Sequence, residues 1–360
     1  IRICLIFLFI CRIEVNYNIN KKNIDDNANT ILEKYLAANN IHSVSIFPDV
    51  HYCSAELPVG VAFKTSDVFY PLITGKDMGC GVMYLRIDKK DYLKPFNKNE
   101  HYNAFNKESY LMTDEGLGGG NHFLSIEEDE THLYIICHTG SRNLGIYFYQ
   151  KMYKMLQDKY NNEINYLPIE DATEQFVNEY NSILDYATKR RKEFVIKTFN
   201  FLIKNKYLNE KADYVISDSI HNHIKFENNN IIHRKGSTEL LGDNEIVIPL
   251  SMTRGSLIVK GNKWDVRLAE ALYSCSHGAG RKLSRTDTLK YWKSSLKESE
   301  RKMYKKNFSE LLDKSNNFSN GYIQEFDFAY KNSSDILDLQ PYLIKITETK
   351  PIVTVKFTEI

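Results

Sequence analysis

The stretch LYIICHTGSRNLG, residues 133–145, holds the transition on which the reading of the fold turns. Leu133 to Cys137 form an unbroken apolar run rich in β-branched residues, the pattern of a buried strand. The run ends at His138 and opens into a glycine loop. Arg142 follows at a distance suited to a phosphate. From about residue 146 to residue 205 the pattern becomes helical and rich in Tyr, Lys and Glu. The informative unit is therefore a strand that hands a histidine to a glycine-bounded loop.

Similar units recur along the chain. Asp77 and Cys80 lie in GKDMGCGV (75–82), His122 in GLGGGNHF (116–123), His221 in SDSIHNH (217–223) and His277 in SHGAGRK (276–282). Glycine beside such a residue lets backbone approach closely and adopt angles other residues avoid. One such segment would mean little, but this many spread over about two hundred residues imply loops that converge on one site.

Outward from these loops, residues 28–40 read as an amphipathic helix closed by Asn39-Asn40. VSIFPDV, VGVAFKT, VFYPLIT and GVMYLRI follow as short strands separated by Gly or Pro. Strand patterns return at 213–217, 230–233 and 245–260, residues 262–312 read as helix interrupted by SHGAGR, and YLIKITETKPIVTVKF reads as two strands. The layout is α+β: a single large mixed domain over 25–360 with a helical insertion at 146–210 and no linker that divides it. No internal repeat is visible.

Composition bounds the function classes. The chain has 360 residues, 42% of them hydrophobic, and a net charge of +1. No global field favours nucleic acid or membrane, so a nucleic-acid surface must be local. The stretch 281–306, with RKLSR and KESERKMYKK, is its basic candidate. The six cysteines (Cys4, Cys11, Cys53, Cys80, Cys137, Cys275) show no paired framework, which points to a reducing compartment, cytoplasmic by default. ICLIFLFIC near the start is too short to span a bilayer. Within the tail 1–24 it reads equally as an edge strand or extended tail and as a targeting remnant, organellar targeting included.

The chemistry of each motif has a bland counterpart. DMGC sets a carboxylate and a thiol in one loop; a thiolate can bridge two ions and a carboxylate suits a hard divalent cation, but a buried Cys in a turn looks alike. GGGNH exposes backbone N–H groups as phosphate loops do, and turns use the same residues. A lone histidine at a strand end is more often structural, whereas several shift the balance toward ligands. In SHGAGRK an imidazole can act as a nucleophile toward phosphorus if cations neutralise the phosphate. HRKGST (233–238) adds Arg234 and Lys235, and IPLSM (248–252) adds Ser251. His42, His101, His132 and His223 carry no motif and read as surface or packing residues, and Cys53, Cys137 and Cys275 as core thiols.

Taken together, FPDVH (47–51), PVGVAF, DMGCGV, GGGNHF, HTGSRNLG, His221-Asn222, HRKGST, PLSM, SHGAGRK and the final PIVTVK resemble the RtcB family of RNA ligases, over roughly residues 25–357. FPDVH with PVGVAF, HGAGRK and the ending PIVTVK resemble most its shorter, release-factor-H-coupled branch. The resemblance implies β-sheets around a central metal cleft. It implies an enzyme that uses GTP and two divalent ions, typically manganese, to join RNA 2′,3′-cyclic phosphate or 3′-phosphate ends to 5′-hydroxyl ends, in RNA repair or tRNA splicing. Asp77, Cys80 and His122 would hold one ion; Cys80, His138 and His221 the other. His277 would carry the guanylate. Asn121, Phe123, Asn222, Ser251, Gly278, Ala279, Gly280 and Lys356 would surround GTP or GMP. Arg142, Lys235 and Arg281 would face RNA phosphates. An archease-type activator would be a partner, and a membrane would not.

The ligand types alone favour zinc over manganese by the usual affinity order, so manganese rests on the resemblance. Three positions depart from the family pattern. Ser125 stands where a base-reading Glu is usual, Leu250 where Gly is usual, and Asn143 where Gly is common. Ser125 predicts weaker preference for GTP over ATP, with Glu127 on the same strand face as a partial substitute. Two alternatives remain open: a catalytically silent RNA-end-binding homologue, and a cyclic phosphodiesterase that opens ends without joining them.

Overall fold

A computed structural model describes residues 13–19, 21–53, 56–97, 116–161, 163–227, 229–311 and 320–356. The apolar runs read from the sequence fold as strands that sort into two five-stranded sheets and a smaller third. The first sheet contains β1 (Glu14–Tyr17), β2 (Ser43–His51), β3 (Val59–Thr65), β10 (Asn222–Glu227) and β11 (Asn230–Lys235), in the order β1-β2-β3-β11-β10. β1 runs parallel to β2, and the other pairs are antiparallel. Helix α1 (Asp26–Leu36) is capped by the Asp25 carboxylate, which accepts from Ala28 N–H at 2.8 Å, and buries Ala28, Leu32 and Tyr35 at helical spacing.

The second sheet contains β5 (Gly81–Asp88), β6 (Phe123–Glu128), β7 (His132–Thr139), β9 (Tyr214–Ile220) and β17 (Lys350–Val355), in the order β17-β6-β7-β5-β9. Every neighbouring pair in it is antiparallel. Two helices follow β7: α2 (Asn143–Tyr160) and α3 (Glu174–Lys204). Phe194, Val195, Phe199 and Leu202 of α3 pack with Met83, Leu85, Ile135 and Cys137 in one apolar cluster. The later part of α3 thus supplies one face of this sheet's core, while Phe148, Met152 and Leu156 of α2 and Phe176 and Tyr180 of α3 pack in the first sheet's cluster. The third sheet joins β13 (Glu245–Ser251), β14 (Gly255–Gly261) and β16 (Leu343–Glu348). The short pairs β4 (Val68–Phe69) with β8 (Leu167–Pro168), and β12 (Ser237–Glu239) with β15 (Ser274–Ser276), complete the strands.

Two local expectations are corrected. VFYPLIT forms a strand only at Val68 and Phe69, and residues 71–76 are turns; Pro71 has no N–H to donate and Gly75 takes φ +65°. The range 262–312 is less helical than its pattern. It holds α4 (Val266–Glu270), β15, α5 (Arg285–Ser294) and α6 (Glu298–Leu311), with turns and loop between. Leu272 and Tyr273 adopt positive φ and end α4, so the chain enters β15 and delivers His277. Helices α7 (Asn320–Ile323) and α8 (Ser334–Asp338) precede β16. The expected helix at 28–40, the strands at 213–217 and 230–233, and the two C-terminal strands all form, within a few residues of the ranges read. ICLIFLFIC, Cys4, Cys11 and His101 lie outside the described residues. No described helix is long and apolar enough to cross a membrane.

Candidate metal centre and nucleophile

In an antiparallel sheet the start of one strand lies beside the end of the next. That geometry collects the motifs. Cys80 precedes β5, His122 precedes β6, His138 lies near the end of β7, and His221 follows β9. Gly81 pairs with both Thr139 and Ile220, and Phe123 pairs with His138. β17 ends opposite Leu124, which brings Lys356 to the same end.

The ligating atoms meet there. Cys80 Sγ lies 3.2 Å from His138 Nε2 and 3.4 Å from His122 Nε2. His138 Nε2 is 3.3 Å from His221 Nε2, and His122 Nε2 is 3.1 Å from Asp77 Oδ2. Two groups result, Cys80/His138/His221 and Asp77/Cys80/His122, the donor atoms of each lying within 4.8 Å of one another. Cys80 belongs to both. Cys80 and the three histidines are each at most 3% exposed.

The electrostatics suit a cation. His138 Nδ1 sits 3.1 Å from the Asn121 carbonyl, which only accepts, so the ring proton is on Nδ1 and the Nε2 lone pair faces inward. Burial pushes the pKa of His138 and His221 well below the ordinary imidazole value, so both rings are neutral, the form that can ligate a metal. Burial, reinforced by Asp77, pushes the Cys80 thiol up. Burial also works to raise the Asp77 carboxyl, but His122 beside it wins and holds it below the usual range. Nitrogen, sulfur and carboxylate lone pairs are packed against one another with few protons to share. A divalent ion in each group would satisfy them, and the donor set fits one.

His277 stands beside this centre. Its ring centroid is 4.7 Å from that of His221. Asp49 Oδ2 accepts from the His277 backbone N–H at 3.0 Å and from Nδ1 at 2.6 Å. A carboxylate cannot donate, so Nδ1 carries a proton, and in the neutral ring the lone pair is on Nε2. Asp49, fully buried on β2, reaches the HGAG loop because Gly280 takes φ +72°; a Cβ there would lie 2.5 Å from Asp49 Cα.

A cleft opens over both features. Its walls include Asp77, Cys80, Asn121, Phe123, His138, His221, Asn222, Lys235, Ser251, His277, Gly278, Ala279, Gly280, Arg281 and Lys356. His122 is packed behind this wall. Arg142 stands apart from it, at the start of α2, with φ +53° and its guanidinium against Gly118 of the glycine triplet. Some wall residues are already engaged. Asn222 Nδ2 donates to the Asp77 carbonyl at 3.1 Å and its Oδ1 accepts from Gly236 N–H at 2.8 Å. Lys235 Nζ donates to the Thr74 carbonyl at 2.8 Å, and the Ser251 hydroxyl donates to Asp327. In the basic stretch 281–306, Arg281 and Arg285 reach the cleft, while Lys290 and Lys302 pair with Asp287 and Glu298 on their own helices. Among the described residues read as surface or packing, His42 pairs with Ser66 at 2.9 Å, Arg234 Nη1 contacts His223 Nε2 at 3.3 Å, and Cys137 and Cys275 are wholly buried, whereas Cys53, read as a core thiol, is only partly buried and lines the cleft.

The reading of the residues missed several members of the wall. Asp49 and His51 both lie in FPDVH, a motif quoted above without a role, and that was their available signal. Burial lowers the pKa of His51 to about 4. Glu127, named above as a partial substitute for the base-reading residue, was not missed: it lines the cleft and accepts from Ser125 Oγ at 2.8 Å and from Thr349 Oγ1 at 2.5 Å. Glu325, with no sequence signal, is buried in the wall against Lys356 Nζ at 2.7 Å, with Arg281 at 3.6 Å and Arg285 at 3.8 Å.

Comparison with known proteins identifies the family. A family model described as "tRNA-splicing ligase RtcB" matches residues 95–357. The RNA-splicing ligase RtcB2 of Escherichia coli is 26% identical over 287 residues, covering 69% of this chain and 70% of that protein. The tRNA-splicing ligase RtcB of Nanoarchaeum equitans is 26% identical over 267 residues, covering 61% of this chain and 54% of that protein. The RNA-splicing ligase RtcB of Escherichia coli K12 is 26% identical over 320 residues, covering 69% and 76%. A cleft lined by candidate metal ligands, with a carboxylate-held histidine beside them in a mixed α+β domain, fits one class of protein. The chain belongs to the RtcB family, a family of RNA ligases.

Proposed function

We propose that this protein is a GTP- and metal-dependent RNA ligase that joins 2′,3′-cyclic phosphate or 3′-phosphate ends to 5′-hydroxyl ends through a guanylylated His277. One observation carries the reading. The Nδ1–H of His277 is fixed by a buried carboxylate, and the ring lies against a candidate metal ligand. An imidazole so held presents Nε2 as a nucleophile in a cleft whose walls carry Lys235, Arg281, Arg285 and Lys356.

Divalent ions, manganese by family precedent, would be held by Asp77, Cys80 and His122 and by Cys80, His138 and His221, and would neutralise phosphate charge and activate water for opening a cyclic end. His277 Nε2 attacks the α-phosphorus of GTP; the N–P bond forms as the bond to the pyrophosphate oxygen breaks. Asp49 keeps the Nδ1 proton and stabilises the positive charge that develops on the ring. The guanylyl group then passes to an oxygen of the RNA 3′-phosphate, and His277 regains its lone pair. The 5′-hydroxyl attacks that activated phosphate, loses its proton and expels GMP. Phe123, Leu250 and Met252 give the cleft an apolar wall for a nucleobase, with Glu127 as its buried carboxylate.

The test is incubation with radiolabelled GTP, manganese and a nicked stem-loop RNA with defined ends. Labelled protein and sealed RNA are expected from the unmodified chain, and neither from His277→Ala. A full-strength adduct on that variant refutes the assignment. Opened cyclic ends without GTP and without sealing identify the phosphodiesterase alternative.

A further inference from the structure

We infer that Arg191, on helix α3, is a positioning residue that sets the Cys80/His138/His221 donor group as one unit. The inference rests on the metal-centre reading above and concerns which residues hold that centre in shape.

The Arg191 side chain is fully buried. A guanidinium has five N–H groups in a fixed planar fork, and all five are assigned. Nε donates to Asp218 Oδ1 at 2.6 Å and Nη2 to Asp218 Oδ2 at 2.7 Å. Nη2 also donates to Thr188 Oγ1 at 3.0 Å. Nη1 donates to the carbonyls of Gly79 at 2.7 Å and Thr139 at 3.0 Å. Each of the three tertiary anchors belongs to a different ligand segment. Gly79 immediately precedes Cys80. Thr139 immediately follows His138. Asp218 lies on β9, three residues before His221. One side chain therefore ties together the segments of the three residues that form one of the two donor groups, and no N–H remains for the His122 segment.

The glycines around Cys80 fit the same account. A Cβ on Gly79 would lie 2.9 Å from the Ala187 Cβ of α3. A Cβ on Gly81 would lie 2.9 Å from Arg191 Cζ and 2.5 Å from the Ser219 carbonyl. GCG is thus the sequence that lets α3 come close enough for the fork to reach both carbonyls. The Asp218 carboxylate offsets the buried charge, so the pair acts as a spacer of defined shape. A lysine, with one compact ammonium, cannot span two carbonyls and a carboxylate in that plane.

The test uses the full chain with cobalt(II) as probe, because thiolate-to-cobalt absorption reports Cys80 ligation independently of activity. Metal content and affinity are measured by equilibrium dialysis beside the spectra. The unmodified protein is expected to bind two ions. Arg191→Lys should keep far-UV circular dichroism and a cooperative melt, and bind one of the two ions about 10- to 100-fold more weakly, the cost typical of losing an outer-shell partner. The thiolate band belonging to that ion should fall with it, while the other ion, which shares only Cys80 with that group, weakens clearly less. A folded variant that binds both ions at full affinity overturns the proposal, and so does equal weakening of both, which marks a merely structural role. Should Arg191→Lys fail to fold, Asp218→Asn tests the same fork with Arg191 in place; selective weakening of one ion supports the proposal and unchanged binding overturns it. If the unmodified protein takes up no cobalt, the metal-centre reading fails first and this inference with it.

Discussion

Asp49→Asn separates the charge on the His277 partner from its shape. Asp49 Oδ2 accepts two bonds, from the His277 backbone N–H at 3.0 Å and from Nδ1–H at 2.6 Å. An asparagine Oδ1 in that position still accepts both, so the ring keeps its tautomer and place. What disappears is the negative charge facing an imidazole that turns cationic as Nε2 bonds to phosphorus. A charge-assisted hydrogen bond contributes about 1.5–3 kcal/mol and a neutral one about 0.5–1.5 kcal/mol, a difference of about 1–2 kcal/mol. On the barrier this slows adduct formation by about 5- to 30-fold. The same change puts an amide nitrogen where Asp49 Oδ1 now lies buried without a hydrogen-bond partner among the described residues. It should therefore also cost about 1–3 kcal/mol of stability, which a thermal melt registers separately. The assay is single-turnover transfer of label from GTP to protein, at saturating metal and below the melting range. Metal content should be unchanged, since Asp49 is in neither donor group. An adduct rate equal to that of the unmodified protein would show that the carboxylate does not stabilise the charged ring, and the reasoning fails.

Two further expectations concern the cleft floor and the core. Glu127→Gln should lower the preference for GTP over ATP in adduct formation by about ten-fold or more, because a neutral amide is a weaker acceptor for guanine N–H groups; a preference unchanged in that variant and in Ser125→Glu shows that another group reads the base. His233 is buried, stacked on Phe63 at 4.4 Å, and accepts from Tyr70 N–H at 3.0 Å; burial lowers its pKa to about 3. Its folded pKa lies below its unfolded one, so the unfolded chain binds the extra proton between those values and stability falls as pH falls. Between pH 7 and 5 this single group should account for about 2 kcal/mol, and His233→Gln, which keeps an acceptor for Tyr70, should lose about that much less over the same range in urea titrations. Parallel pH profiles for the two proteins would refute the assignment.

The sequence by itself singled out the side chains that the proposed chemistry uses. Asp77, Cys80, His122, His138, His221 and His277 were legible because they stand where apolar runs meet loops, most of them close to glycine, and local patterning reports strand ends and loops. It also determined the mixed α+β layout, since strand and helix periods differ. The tertiary structure decided what these residues face. Antiparallel pairing of β5, β6, β7 and β9 brings the Cys80, His122, His138 and His221 segments to one end of a sheet, and no spacing along the chain encodes that register. The contact of Asp49 with His277, 228 residues apart, exists because the first sheet and the HGAG loop bury one another. Glu127 enters the cleft because the alternation of β6 sends Phe123, Ser125 and Glu127 to one face. Helical periodicity over-read residues 262–284, where the β12 partner strand captures 274–276 instead. Nothing in the sequence distinguishes Arg191 from Lys189, Arg190 and Lys192 beside it. Only the packing of α3 against the glycines beside Cys80 turns its fork inward, because a buried guanidinium must find partners for all its donors and the ligand loops offer the carbonyls within reach.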